Sequence, residues 1–258
     1  MRTLLALLVF SSACVVGVPA NAITVVDLAP GVNSPSPPSP PQSLQLETFD
    51  SVGLGTAAFS NSFATFTSTG ASIVQGLNQG VNAPPFVGPL LGQADSTRYL
   101  AVFGGTKETI ALNAGLVPQS FGLYIGSLDS YNTITFMNGA SVVATLTGTD
   151  IANDVNANPL SVGPPLQTGP PLTNQSGFVA NRYVIFSDIG AFTSVVLGSC
   201  GLPAGCTNAF EVDNLSFTTT TSLAGGVPEA STWIMMILGF LSVGLVGYRR
   251  TGLSLRLV

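Results

Sequence analysis

The side chains able to do chemistry are few. Cys200 and Cys206, in the stretch CGLPAGC, enclose a Gly- and Pro-containing loop that suits a tight turn. The 258 residues contain no histidine, so a zinc site lacks its usual ligands. Five residues separate the two cysteines, where a redox centre usually has two. They are expected to form a structural disulfide, which in an oxidising compartment constrains the unfolded chain by roughly 2–3 kcal/mol. A second group is Tyr124, Asp129, Tyr131 and Asn132, in LYIGSLDSYN. Aromatic rings stack on sugars while neighbouring polar groups fix the hydroxyls. The same residues equally suit core and hairpin packing.

Without histidine, Ser-His-Asp and Cys-His machinery is absent. A glycosidase needs only two carboxylates facing a cleft. Between Ile23 and Val227 lie eleven acids, but none sits in a catalytic motif. The Gly-rich FGGTKE (Phe103–Glu108) lacks the spacing of a phosphate-binding loop. No enzyme is expected. The same segment has only three bases, Arg98, Lys107 and Arg182, for a net charge of minus eight. Nucleic-acid binding, which needs clustered Lys and Arg to displace counterions, is excluded.

The elements that must position these groups read as strands. TRYLAVFG, SFGLYIGSL, RYVIFSD, FTSVVLGS and AFEVDNLSFTT alternate or run apolar over short lengths between turn signals. NTITFMNGASVVATLTG reads as a hairpin joined at Asn138-Gly139, since both residues tolerate positive φ. Glu211 and Asp213 share one face of their strand, opposite Phe210 and Val212. No convincing amphipathic helix precedes the C-terminus. The spacing predicts an all-β, antiparallel, jelly-roll-like β-sandwich over residues 44–220. Residues 23–43 hold a Pro-rich stretch and read as an extended linker.

Both ends read as addresses. Arg2, the apolar run LLALLVF and the small residues Ala20 and Ala22 compose a signal peptide over residues 1–22. Residues 221–229 are a hinge. Ala230 to Tyr248 gives nineteen residues without a charge, a helix about 28 Å long, enough to cross a bilayer. Trp233 and Tyr248 sit near its ends and Arg249-Arg250 follow, so residues 249–258 are expected to be a basic cytoplasmic tail. The chain is therefore expected to be exported and held by this helix in the inner membrane.

The tail VPEASTWIMMILGFLSVGLVGYRR resembles the PEP-CTERM sorting signal of exosortase-processed surface proteins, through Pro228, Glu229, Trp233, Arg249 and Arg250. Ala230 stands where the third residue of that motif is usually Pro. The resemblance implies an exosortase as processing partner and cleavage near Pro228-Glu229. It also implies a non-catalytic product at the cell surface or in the extracellular matrix. FEVDNLSF is similar to the closing strand of jelly-roll carbohydrate-binding modules, which implies a second role, binding exopolysaccharide. In such folds the first and last strands lie side by side and often share a structural calcium. Glu47 or Asp50 with Asp213 are the carboxylates that would hold it; the alternative is that Glu211 and Asp213 are two solvated acids on an outer face. No other cofactor is expected.

Overall fold

A computed structural model describes residues 23–28, 35–78, 81–85, 96–126, 128–157, 181–200, 208–221 and 236–241. Among them the strands are β1 (Thr24–Asp27), β2 (Ser43–Glu47), β3 (Phe59–Ser60), β4 (Ala64–Ser68), β5 (Ser72–Gln75), β6 (Arg98–Val102) and β7 (Lys107–Leu112). They continue with β8 (Leu116–Ile125), β9 (Thr133–Asn138), β10 (Ser141–Thr147), β11 (Arg182–Ser187), β12 (Ser194–Gly198) and β13 (Phe210–Thr221). Helix α1 (Gly148–Ala157) separates β10 from β11.

All strand pairs are antiparallel and form two sheets. One runs β1-β11-β8-β13-β6-β5, with β2 also paired to β13; the other runs β10-β9-β12-β7-β4-β3. β13 is long enough to serve two neighbours on one edge, β6 along its first residues and β2 along its last. The first strand of the expected domain thus lies beside the last, with Leu215 opposite Glu47.

Alternation supplies the core. Phe121, Leu123 and Ile125 of β8 and Phe210, Val212, Leu215 and Phe217 of β13 face inward from one sheet. Ile110 of β7, Ile134 and Phe136 of β9, and Val195 and Leu197 of β12 face them from the other. Phe121 meets Phe136 edge-on at 5.9 Å between ring centroids, and Phe136 packs on Phe186 at 5.7 Å. These rings join the sheets face to face, and each fully buried large side chain contributes about 1.5–3 kcal/mol.

Three features depart from the sequence expectation. Residues 24–27, assigned to the linker, form an edge strand with Val25 in the core. The hairpin turn falls one residue later than expected. Asn138 pairs with Ser141, so Gly139 and Ala140 make the turn, and of these Gly139 carries the positive φ, 57°. A glycine first in a two-residue loop is the type II′ arrangement. Finally, α1 is an amphipathic helix where none was expected. It buries Ile151, Ala152 and Val155. Thr147 caps it by accepting the Asp150 N–H at 3.2 Å, while Asp150 accepts the Thr147 N–H at 2.8 Å. This is a reciprocal capping box, and it holds the Asp150 carboxyl below its usual range. No helix among the described residues is long and apolar enough to cross a membrane. Residues 236–241 are helical.

Candidate functional site

A set of buried polar side chains lies on the outward face of the seven-stranded sheet. Register sets Tyr183 of β11, Tyr124 of β8 and Asp213 of β13 in one row across three strands. Glu211, two residues before Asp213, lies opposite Ala101 of β6. These are residues that alternation turns away from the core, yet all are buried. Part of their cover comes from the segment that follows β5. Ala83 donates its N–H to Glu211 Oε1 at 2.9 Å, and Asn82 donates to the Tyr99 hydroxyl at 2.6 Å. Tyr99 in turn donates to the Gly76 carbonyl at 2.7 Å.

A glycine makes room for the row. A Cβ at Gly122 would stand 2.8 Å from Tyr183 Cε1 and 2.9 Å from Ser216 Oγ. Its absence lets the Tyr183 ring lie across β8 and its hydroxyl donate to Ser216 at 2.6 Å. Burial pushes the Tyr183 phenol well above its ordinary value; the Ser216 bond offsets this in part, and the Asp213 charge adds to it.

A second group sits in the turn between β8 and β9. Tyr131 donates to Asp129 Oδ2 at 2.8 Å, and Asn208 donates to the Tyr131 hydroxyl at 3.2 Å. Burial raises the Asp129 carboxyl, with the Tyr131 bond acting against it. Tyr131 is pushed up to about 12, first by burial, then by its bond to Asp129, with a further contribution from the Glu211 charge. Asn132 is fully buried, and its carbonyl accepts the Gly148 N–H at 2.8 Å. Only glycine fits at 148, because a Cβ there would stand 2.0 Å from the Asp129 carbonyl oxygen. The turn is thereby latched to the start of α1.

Of the four residues expected to form a sugar platform, Asp129, Tyr131 and Asn132 share this turn. Tyr124 belongs instead to the row on the sheet. Tyr124 offers no open stacking face, being 1% exposed, whereas Tyr131 is half-buried with its hydroxyl engaged. The reading of Glu211 and Asp213 as solvated acids is corrected too, since both are buried.

The carboxylates expected to hold calcium are not gathered. Glu47 pairs with Leu215, a core residue, whereas Asp213 pairs with outward-facing Tyr124, so the two acids leave opposite faces of the sheet. The Glu47 oxygens accept the Phe49 N–H at 2.7 Å and the Asn61 amide at 2.8 Å. Asp213 Oδ1 accepts the Asn214 N–H at 2.8 Å. Asp50 is exposed, and its carbonyl accepts from Arg98 at 3.1 Å. Among the described residues no group of three or more His, Cys, Asp or Glu could hold a metal ion.

Cys200 is disulfide-bonded; Cys206, its expected partner, lies outside the described residues, as do Pro228, Glu229, Trp233, Arg249 and Arg250. Sequence reasoning missed Tyr99, Tyr183 and the ion pair of Asp27 with Arg182. Alternation within RYLAV and RYVIFS was the available signal for the tyrosines. Comparison with protein-family models, curated proteins and solved structures finds no match, so the reading of these groups rests on their own geometry.

Proposed function

We propose that the chain is an exported, non-catalytic surface or extracellular-matrix protein. Its C-terminal helix holds it in the inner membrane until an exosortase cuts near Pro228-Glu229. The observation that carries this reading is the state of residues 236–241. They are helical, and Met236, Ile237, Leu238, Phe240 and Leu241 are all exposed. A helix apolar on every side belongs in a core or a bilayer rather than in water. The disulfide at Cys200 also supports an oxidising compartment.

The cargo is a jelly-roll-like sandwich. Counting β2 as the first strand and β7 to β13 as the next seven, one sheet runs first-eighth-third-sixth and the other second-seventh-fourth-fifth. That is the order produced by two Greek keys. β3 to β6 enter between the first and second strands, and β1 adds an edge.

The test is intact mass and fractionation of the full chain, expressed in bacteria with and without an exosortase. With the enzyme, the surface or medium fraction should hold a product lacking residues 1–22 and everything beyond about Pro228. Without it, the product should stay with the membrane. A chain dissolved in the cytosol with both ends intact would overturn the proposal. The pairing of β2 with β13, which matches the side-by-side first and last strands of the carbohydrate-binding modules that FEVDNLSF resembles, favours a second reading, an exopolysaccharide-binding module. No retention on any glycan array, with or without calcium, would remove it.

A further inference from the structure

We propose that β1 is an exchangeable donor strand, and that the slot beside β11 can be filled by β1 of a second copy of this chain. Among the described residues β1 is the edge of its sheet and pairs with β11 alone, Thr24 opposite Ser187 through Asp27 opposite Val184. The slot has a defined chemistry. Val25 fills a place in the core, and two residues on the buried Asp27 carboxylate meets Arg182 at 2.5 Å. Arg182 is only 3% exposed. Removing one partner of a buried ion pair leaves the other charge uncompensated, at large cost. The slot therefore selects an apolar residue followed two places later by an acid, which the Thr-Val-Val-Asp of any copy supplies.

The connection does not tie β1 to its own domain. Residues 28–42 include six prolines. Leu28 still belongs to the slot, donating its N–H to the Tyr183 carbonyl at 2.9 Å, but residues 35–42 are largely exposed, and their backbone hydrogen bond, Gln42 N–H to the Ser39 carbonyl, is internal. Within one chain, Asp27 and Ser43 stand four strand spacings apart across the sheet and about four residues apart along it, or about 23 Å. The connection extends to about 50 Å. Intramolecular and exchanged arrangements then contain the same strand contacts, as in domain swapping. Concentration chooses between them, with an effective intramolecular concentration in the mM range. Export to a crowded surface raises the local concentration, but the exchange itself does not depend on the sorting tail.

The test uses two differently tagged full-length chains in detergent, one Thr24→Cys and one Ser187→Cys, mixed and oxidised. Because these positions are opposed in register, a specific covalent heterodimer requires β1 of one chain beside β11 of the other. Heterodimer above the level given by the parent chains should appear and rise towards about 1 mM. Deleting residues 32–41 from both chains leaves about 20 Å of connection, too short to close internally. That pair should form heterodimer at roughly 100-fold lower concentration. A chain carrying both cysteines should close on itself at low concentration and form covalent oligomers at high concentration. The proposal is overturned if the double variant closes only within single chains at every concentration, or does not close at all. It is overturned equally if the shortened chains stay monomeric by light scattering.

Discussion

Across the six-stranded sheet an outward row runs Thr67, Thr109, Val196, Thr135 and Thr145, every member at least partly open to water. Across the seven-stranded sheet the outward row through Tyr183, Tyr124 and Asp213 is wholly buried. The first is the ordinary state of an antiparallel sheet with one wet face. The second keeps phenols and carboxylates out of water, which is costly unless their hydrogen bonds are made internally. The bonds from Ala83 to Glu211 and from Tyr183 to Ser216 are of that kind. Each sheet also carries acids on its inward face, and two of these, Asp27 and Glu108, differ as sharply as the outer rows.

On the seven-stranded sheet Asp27, like Glu47, faces inward, and it is bonded to Arg182. Asp27→Ala leaves that guanidinium buried and should destabilise the domain by about 3–5 kcal/mol, read by urea unfolding. On the six-stranded sheet Glu108 shares its face with Ile110 and is 1% exposed, and apart from the nearby Ser68 hydroxyl, which itself donates to the Ala71 and Lys107 carbonyls, neither carboxyl oxygen has a partner. Burial pushes its pKa from 4.5 up to about 8, offset in part by the Ser68 hydroxyl. The folded state then keeps a proton that the unfolded chain has released. Stability from this group is complete below pH 4.5, falls as pH rises, and is lost above about 8. Glu108→Gln should flatten that slope and stabilise the protein at high pH by up to about 4 kcal/mol. An unchanged slope in the variant would mean that Glu108 is charged in the fold.

The outer faces differ in spare room. A Cβ at Gly122 meets the Tyr183 ring and the Ser216 hydroxyl, both buried, whereas one at Gly198 meets only the Thr133 hydroxyl at 2.7 Å. Thr133 is partly exposed and can rotate away. Gly122→Ala should therefore cost about 1–3 kcal/mol, and Gly198→Ala should stay within about 1 kcal/mol of neutral. Equal costs, measured by thermal unfolding, would dissolve the distinction between the sheets.

The same contrast marks what the sequence could tell. Strand positions were legible because alternation is local, and so was the opposition of Glu211 and Asp213 to Phe210 and Val212. The side-by-side placing of the first and last strands came from resemblance to a fold, not from alternation. Burial of the outer face was not legible, because it depends on a segment, Asn82 and Ala83, far along the chain from Glu211. Asp27 and Arg182 stand 155 residues apart with no local cue to join them. The start of α1 did carry a cue, Thr147 and Asp150 at capping-box spacing. It was masked by a β-rich stretch before it and an Asn-rich one after it. The calcium expectation failed on parity: the bulge between Asp213 and Ser216 shifts the register and sends Asp213 and Glu47 to opposite faces.

The smallest effects give the finest comparison, because one hydroxyl can be removed from each outer row. Tyr183→Phe deletes the donor to Ser216, whose oxygen is buried, and should cost about 1–2 kcal/mol. Thr135→Val deletes a hydroxyl bonded to Thr145 at 3.1 Å on an exposed face. Water can replace that partner and Val suits a strand at least as well, so the change should fall within about 0.5 kcal/mol. Stability alone leaves one ambiguity, since a ring can lose packing as well as a bond. Ser216→Ala in the Tyr183→Phe background resolves it: with both partners gone no buried polar atom is stranded, and part of the loss should return. If the double variant is no better than Tyr183→Phe alone, the hydroxyl pair is solvated in solution and the face over β8, β11 and β13 is open.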